Sequence, residues 1–186
     1  RDYYASRGLG DVYKRQISGA AGGIKYIPDM SISKGKEFAA KLCELLKDDE
    51  RVIAGNIIYM TDLMYNPEII SNAGTLLSSW FENQEVDYVI TVETKGIPLA
   101  YEVARNLGVQ LVIARRENKF TEGTTMTINY VSGTSGRLQQ MSLSKKSMKS
   151  NSKCIFIDDF MKGGGTAIGI KAVSYTHLRA HETRSN

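Results

Sequence analysis

Residues 154–166 read Cys-Ile-Phe-Ile-Asp-Asp-Phe-Met-Lys-Gly-Gly-Gly-Thr, and this stretch decides the fold. Cys154 to Ile157 form an unbroken apolar run, the pattern of a strand covered on both faces in a parallel sheet. Asp158 and Asp159 close that strand, Gly163, Gly164 and Gly165 make a turn, and Thr166 opens a helix. In an open parallel sheet, ligands sit beyond the carboxyl ends of the strands. Glycines let backbone N–H groups curl around a phosphate with no Cβ in the way, and a helix N-terminus adds positive potential. Lys162 and the Thr166 hydroxyl supply further donors, and two adjacent carboxylates suit the vicinal hydroxyls of a ribose. The combination asks for a phosphorylated ribose. The competing reading is an aspartate pair that only caps a helix, and a glycine turn alone is more often structural. A Walker-type P-loop is excluded, because no Gly-Lys-Ser/Thr follows the glycines.

The surrounding rhythm agrees with a parallel sheet. Val86 to Val92 is a near-continuous apolar strand, Pro98 to Leu107 reads as a helix, and Val109 to Ala114 as a second apolar strand. Segment 117–140 is rich in Thr, Ser and Gly and alternates at Met126, Ile128 and Tyr130, which predicts a long exposed β-hairpin. Further upstream, Ser33 is placed to cap a helix over 34–47 with Phe38, Leu42, Leu45 and Leu46 on one face. Val52 to Thr61 reads as a strand. Asn66-Pro67-Glu68 is a helix start, with an Asn cap, Pro at the first helical position and an acid in the first turn. That helix runs to about Asn83 with Ile69, Leu76, Leu77 and Trp80 inward. Gly19 to Gly23 is small and flexible and reads as part of a linker over 17–28.

A second candidate loop follows the Val86–Val92 strand: Glu93-Thr94-Lys95-Gly96-Ile97-Pro98 also joins a strand to a helix in an anion-ready geometry. Alone, it is an ordinary β–α turn with a solvated lysine. About 60 residues upstream of the acid pair, it becomes a second phosphate-facing element. Arg115 and Lys119, at the end of the next strand, have two open readings, as anion contacts or as an exposed basic strand end. Tyr59 reads first as a core tyrosine and second as a residue lining the site. Lys145, Lys146, Lys149 and Lys153 read first as a solvated face, with contact to nucleic-acid phosphate as the sharper alternative.

Charge and composition narrow the function classes. The net charge of +4 over 186 residues is largely an end effect. Arg7 to Gln16 and Val173 to Asn186 lack apolar periodicity and resemble translated sequencing-adaptor sequence, so 1–16 and 174–186 are taken as non-native flanks. Without Arg1, Arg7, Lys14, Arg15, Arg179 and Arg184, and without Asp2, Asp11 and Glu182, 18 basic and 17 acidic residues remain. Both histidines, His177 and His181, lie in the same tail, so histidine-based triads, general bases and zinc sites fall away. Cys43 and Cys154 sit in apolar patterns and are expected as buried free thiols of a reducing cytoplasm. No run of about 18 apolar residues predicts a membrane span.

The acid pair with its glycine turn resembles the motif by which type I phosphoribosyltransferases bind the sugar diphosphate PRPP. The resemblance extends to Gly19–Pro28, Thr94–Ala100, Thr121–Gly133, Met141–Lys149 and Ile157–Thr166, which together are similar to the purine operon repressor family of Gram-positive bacteria. It implies an α/β domain over 29–173, a mainly parallel twisted sheet flanked by helices with a protruding flexible hairpin over the ligand, incomplete at the C-terminus. It implies that Asp158 and Asp159 take the ribose hydroxyls and that Lys162, Gly163, Gly164, Gly165 and Thr166 take the 5′-phosphate. Thr94, Lys95 and Gly96 would contact the 1-diphosphate, with Arg115, Lys119 and Tyr59 as secondary candidates. The family implication is a cytoplasmic, dimeric repressor of purine biosynthesis genes. PRPP, with Mg²⁺, is its effector, and a winged-helix domain expected before Ile17 reads operator DNA. The alternative is a catalytic purine phosphoribosyltransferase of the xanthine or adenine type. Lys162 and Gly163 stand where such enzymes usually carry small hydroxyl residues, which favours sensing over turnover.

Overall fold

A computed structural model of the chain describes residues 12–17, 23–28, 30–54, 57–116, 123–131, 136–149, 151–161 and 164–172, with the backbone alone for 12–17, 23–28, and Ile128. The elements run β1 (Val12–Ile17), β2 (Gly23–Pro28), α1 (Ile32–Leu46), β3 (Val52–Ile53), β4 (Ile57–Ile58), α2 (Thr61–Met64), α3 (Pro67–Ser79), β5 (Tyr88–Val92), α4 (Ile97–Leu107), β6 (Gln110–Ala114), β7 (Thr125–Val131), β8 (Leu138–Ser144) and β9 (Cys154–Phe156). A last helix, α5, covers 165–172.

The centre is a parallel sheet in the order β6-β5-β9. Tyr88 pairs with Gln110 on one side and with Cys154 on the other, so the ends of all three strands come out on the same edge. The apolar runs make this possible, because β5 is covered on both faces. Ile90 and Val92 pack with Val112, Ala114, Tyr130, Met141, Leu143, Met148 and Ile170, while Val89 packs with Leu99, Ala100, Val103, Ala104 and Ile157. Burying a side chain such as Ile90 stabilises the fold by about 1.5–3 kcal/mol. The first layer consists of the β7–β8 hairpin and α5, and the second of α4, α3 and α2.

Helix α4 starts with Pro98 in its first turn and stops at Gly108, whose φ of +70° ends the helix in the left-handed conformation that glycine adopts freely. Helix α3 has the expected Asn66 cap, whose side chain accepts from the N–H groups of Glu68 and Ile69. Its inward face differs from the expected one. Ile70, Gly74, Thr75 and Ser78 are buried, Ile69, Leu76 and Leu77 are half-buried, and Trp80 is 66% exposed. The reason is close helix contact. A β-carbon on Gly74 would stand 2.5 Å from the Glu102 Cβ of α4, so small residues rather than the large apolar ones face the partner helix.

Other expectations need correction. Helix α1 begins two residues earlier than predicted, with the Ser31 hydroxyl, not Ser33, accepting from the Lys34 N–H. Residues 52–61 are not one strand. They fold back as the short antiparallel β3–β4 pair, with Val52, Ile53, Ile57 and Ile58 all 42–53% exposed. The hairpin in 117–140 is not exposed throughout: its described strands bury Met126, Tyr130, Met141 and Leu143 while Val131 and Leu138 are 59% and 70% exposed, and Arg115 pairs with Ser142 to tie β8 to the end of β6. Cys43 and Cys154 are free but exposed rather than buried. Residues 23–28, read as linker, pair with 12–17 in an antiparallel hairpin.

Candidate functional site

The carboxyl ends of β5 and β9 and the N-terminal end of α5 open onto one cavity of about 410 Å³. It is lined by Val92, Glu93, Thr94, Lys95, Arg116, Asp158, Asp159, Phe160 and Thr166. The described parts of the two loops that the sequence singled out, 93–95 on one side and 158–160 with Thr166 on the other, therefore face the same space. Parallel pairing enforces this, because it brings chain segments about 60 residues apart to one sheet edge.

Gly96 is the joint between the two loops. It is buried, and a β-carbon there would stand 2.7 Å from Asp158 Oδ1 and 2.8 Å from Thr91 Oγ1. The absence of a side chain at 96 thus lets the Thr94–Gly96 turn lie directly against the first carboxylate of the acid pair. Thr94 and Lys95 are exposed on the cavity wall, and the Glu93–Thr94 peptide bond is cis.

Burial pushes the Asp158 carboxyl up to about 7, and the hydrogen-bonding Asp159 carboxyl adds to the rise while the Arg116 charge opposes it. The Asp159 N–H donates to Asp158 Oδ1 at 3.0 Å. At the other end of the cavity, Gly164 has φ +69° and Thr166 lies in the first turn of α5. The first turn of a helix leaves backbone N–H groups without intrahelical partners, and these are suited to an anion.

The structure replaces one predicted cation with its neighbour. Arg115 does not line the cavity; its Nη1 donates to Glu93 Oε2 at 3.2 Å while its backbone exchanges hydrogen bonds with Ser142. Arg116 is the arginine on the cavity wall, and its N–H donates to Glu93 Oε1 at 2.9 Å. One carboxylate thus holds both residues in place, a role for Glu93 that sequence reading missed. Phe160, 59% exposed between the acid pair and the glycine turn, was missed as well. Tyr59 is neither core nor lining: it is 45% exposed and absent from the cavity wall. Lys119, Lys162 and Gly163 lie outside the described residues. Of the lysine cluster, Lys145, Lys146 and Lys149 are exposed and Lys153 pairs with Glu85.

The arrangement brings two adjacent carboxylates together with Glu93, Lys95, Arg116 and the hydroxyls of Thr94 and Thr166 around one space. In comparison with known proteins, residues 60–174 match the phosphoribosyl transferase domain. The chain belongs to that family. The fold of the phosphoribosyl transferase domain is also that of adenine phosphoribosyltransferase from Saccharomyces cerevisiae, with a TM-score of 0.64 at 20% identity over 77% of this chain and 83% of that one. Within the family, the chain is 48% identical over 167 residues to the purine biosynthesis transcriptional repressor PurR of Bacillus subtilis, covering 90% of this chain and 58% of the relative. It is 36% identical over 170 residues to the purine biosynthesis transcriptional activator PurR of Lactococcus lactis, covering 91% and 62%. The chain therefore spans about three-fifths of the length of these regulators. Among the described residues, no helix is long and apolar enough to cross a membrane.

Proposed function

We propose that this domain is the effector-sensing part of a cytoplasmic transcriptional repressor of purine biosynthesis genes, and that the effector is PRPP. The observation that carries the reading is the single cavity in which the acid pair, the α5 turn and the 93–96 loop converge. In this reading Asp158 and Asp159 take the ribose hydroxyls, the turn at 162–166 takes the 5′-phosphate, and Thr94, Lys95 and Gly96 take the diphosphate. Arg116 assumes the part expected of Arg115. The high identity to a named repressor supports the negative sign of regulation, against the lower identity to a named activator.

Mg²⁺ fits this donor set in one particular way. Among the described residues no three His, Cys, Asp or Glu side chains come together as a metal cage. Magnesium prefers phosphate oxygens and water completed by one or two carboxylates. The ion would thus travel with the diphosphate, lowering its charge as it enters beside Glu93 and the acid pair.

A dimeric protein with a winged-helix DNA-binding domain supplies the readout. Differential affinity is what a switch needs: PRPP must favour the state that holds operator DNA less tightly. Titrating the full-length protein with PRPP and magnesium, while following operator affinity, tests this. Affinity that falls with PRPP supports the switch; operator affinity that stays constant removes it. A release of pyrophosphate from PRPP that depends on an added purine base would assign the site to catalysis instead.

A further inference from the structure

Thr91 sits on β5 between Ile90 and Val92, fully buried, and its hydroxyl has no hydrogen-bond partner among the described residues. A buried hydroxyl without a partner costs about 1–3 kcal/mol, and valine would fill the same volume without that cost. The group needs an explanation, and its position supplies one. Thr91 Oγ1 and Asp158 Oδ1 lie 2.8 and 2.7 Å from the point where a Gly96 β-carbon would stand, so both oxygens border the space that the missing side chain of Gly96 leaves. Asp158 Oδ1 accepts one bond, from the Asp159 N–H, and has a lone pair to spare.

We propose that Thr91 is a positioning residue for Asp158: on ligand binding its hydroxyl donates through the Gly96 gap to Oδ1, holding the carboxylate ionised and turned toward the vicinal hydroxyls of the sugar. The inference rests on the PRPP reading of the cavity. A hydroxyl donor to a carboxylate favours the charged form. It acts on Asp158 against the burial and the Asp159 carboxyl that favour the proton, and alongside Arg116. Glu93 and Lys95, the other charged groups on the cavity wall, remain in place in the variants below.

The test compares Thr91→Val and Thr91→Ser in the full chain with PRPP and magnesium. Calorimetry reads affinity, and the ¹³C shift of the Asp158 carboxyl reads its titration in the complex. With Thr91→Val, affinity falls about tenfold near neutral pH, as for one lost hydrogen bond to a charged group. The Asp158 titration in the complex moves up by about one pH unit, which is the same tenfold read as a proton equilibrium. Thr91→Ser keeps the hydroxyl and restores both. Urea unfolding without ligand shows Thr91→Val at least as stable as the parent. Parent-like affinity and carboxyl titration in Thr91→Val would overturn the role of Thr91 and leave the PRPP reading standing. Loss of both in Thr91→Ser as well would assign the effect to packing of the methyl group. A parent chain that takes up no PRPP removes the reading of the cavity and this inference with it.

Discussion

Replacing Asp158 by Asn should make the ligand-free protein more stable at neutral and higher pH while abolishing its ligand. The folded protein holds the Asp158 proton up to about pH 7, whereas the ordinary value is 3.8. Between these values the folded state binds more protons than the unfolded chain, so stability falls as pH rises through that window and levels off above it. The full separation of about three units corresponds to about 4 kcal/mol. Asp158 is half-buried on a cavity wall, so solvent screening reduces this to about 1–2 kcal/mol. Asn keeps an oxygen that can accept from the Asp159 N–H and carries no charge to desolvate, so it lacks the penalty at every pH. Urea unfolding at about pH 8 should show the Asn variant ahead by that amount, with Tm higher by about 2–8 °C. Near pH 4 the two chains should converge. PRPP uptake by the Asn variant should be lost, because the ribose hydroxyls then meet an amide. An equal difference at both pH values, or an Asn variant weaker at about pH 8, would refute the argument that burial of this carboxylate destabilises the ligand-free protein.

Three more outcomes separate binding from scaffolding. Arg116→Ala should weaken PRPP uptake about tenfold in calorimetry with little change in unfolding. Arg115→Ala should instead lower stability by about 1 kcal/mol through the lost contact with Glu93. Gly74→Ala should lower stability by about 1–2 kcal/mol in urea unfolding and leave PRPP affinity unchanged. The new β-carbon meets Glu102 Cβ at 2.5 Å and its carbonyl carbon at 3.3 Å, and this overpacking exceeds the roughly 1 kcal/mol of helix propensity that alanine brings.

The parallel core was legible because its central strand β5 is buried on both faces and leaves a nearly unbroken apolar run, and its neighbours carry apolar runs as well. Val89 to Val92 and Ile155 to Ile157 needed no tertiary information to be recognised. The errors lie where burial comes from small residues or from distant partners. The buried face of α3 passes through Gly74 and Thr75, which carry no hydrophobic signal, so the leucines and Trp80 drew the prediction one step around the helix. The β7–β8 hairpin looked exposed because its Thr, Ser and Gly content is polar. Only contact with β6 and α5 reveals that Met126, Tyr130, Met141 and Leu143 all turn inward.

At the site, residue types were readable while the directions of side chains were not. The acid pair and the 94–96 turn stood out because phosphates and vicinal hydroxyls demand those groups beside glycine. Choosing between Arg115 and Arg116 required knowing where β6 ends. That is set by Ser142, which pairs with Arg115 from 27 residues away and so extends the strand by one position. Strand side chains alternate, so one extra paired residue directs Arg115 to Glu93 and leaves Arg116 to face the cavity. Thr91 was hidden for a different reason. In an apolar run a threonine passes for another β-branched strand residue, and its hydroxyl becomes informative only when burial shows that nothing receives it. In the proposed reading the acid pair takes the sugar, and the space beside Asp158 is bordered by Gly96 and Thr91, more than 60 residues away. A chain that kept the acid pair and filled the space at 96 would retain the motif without its geometry.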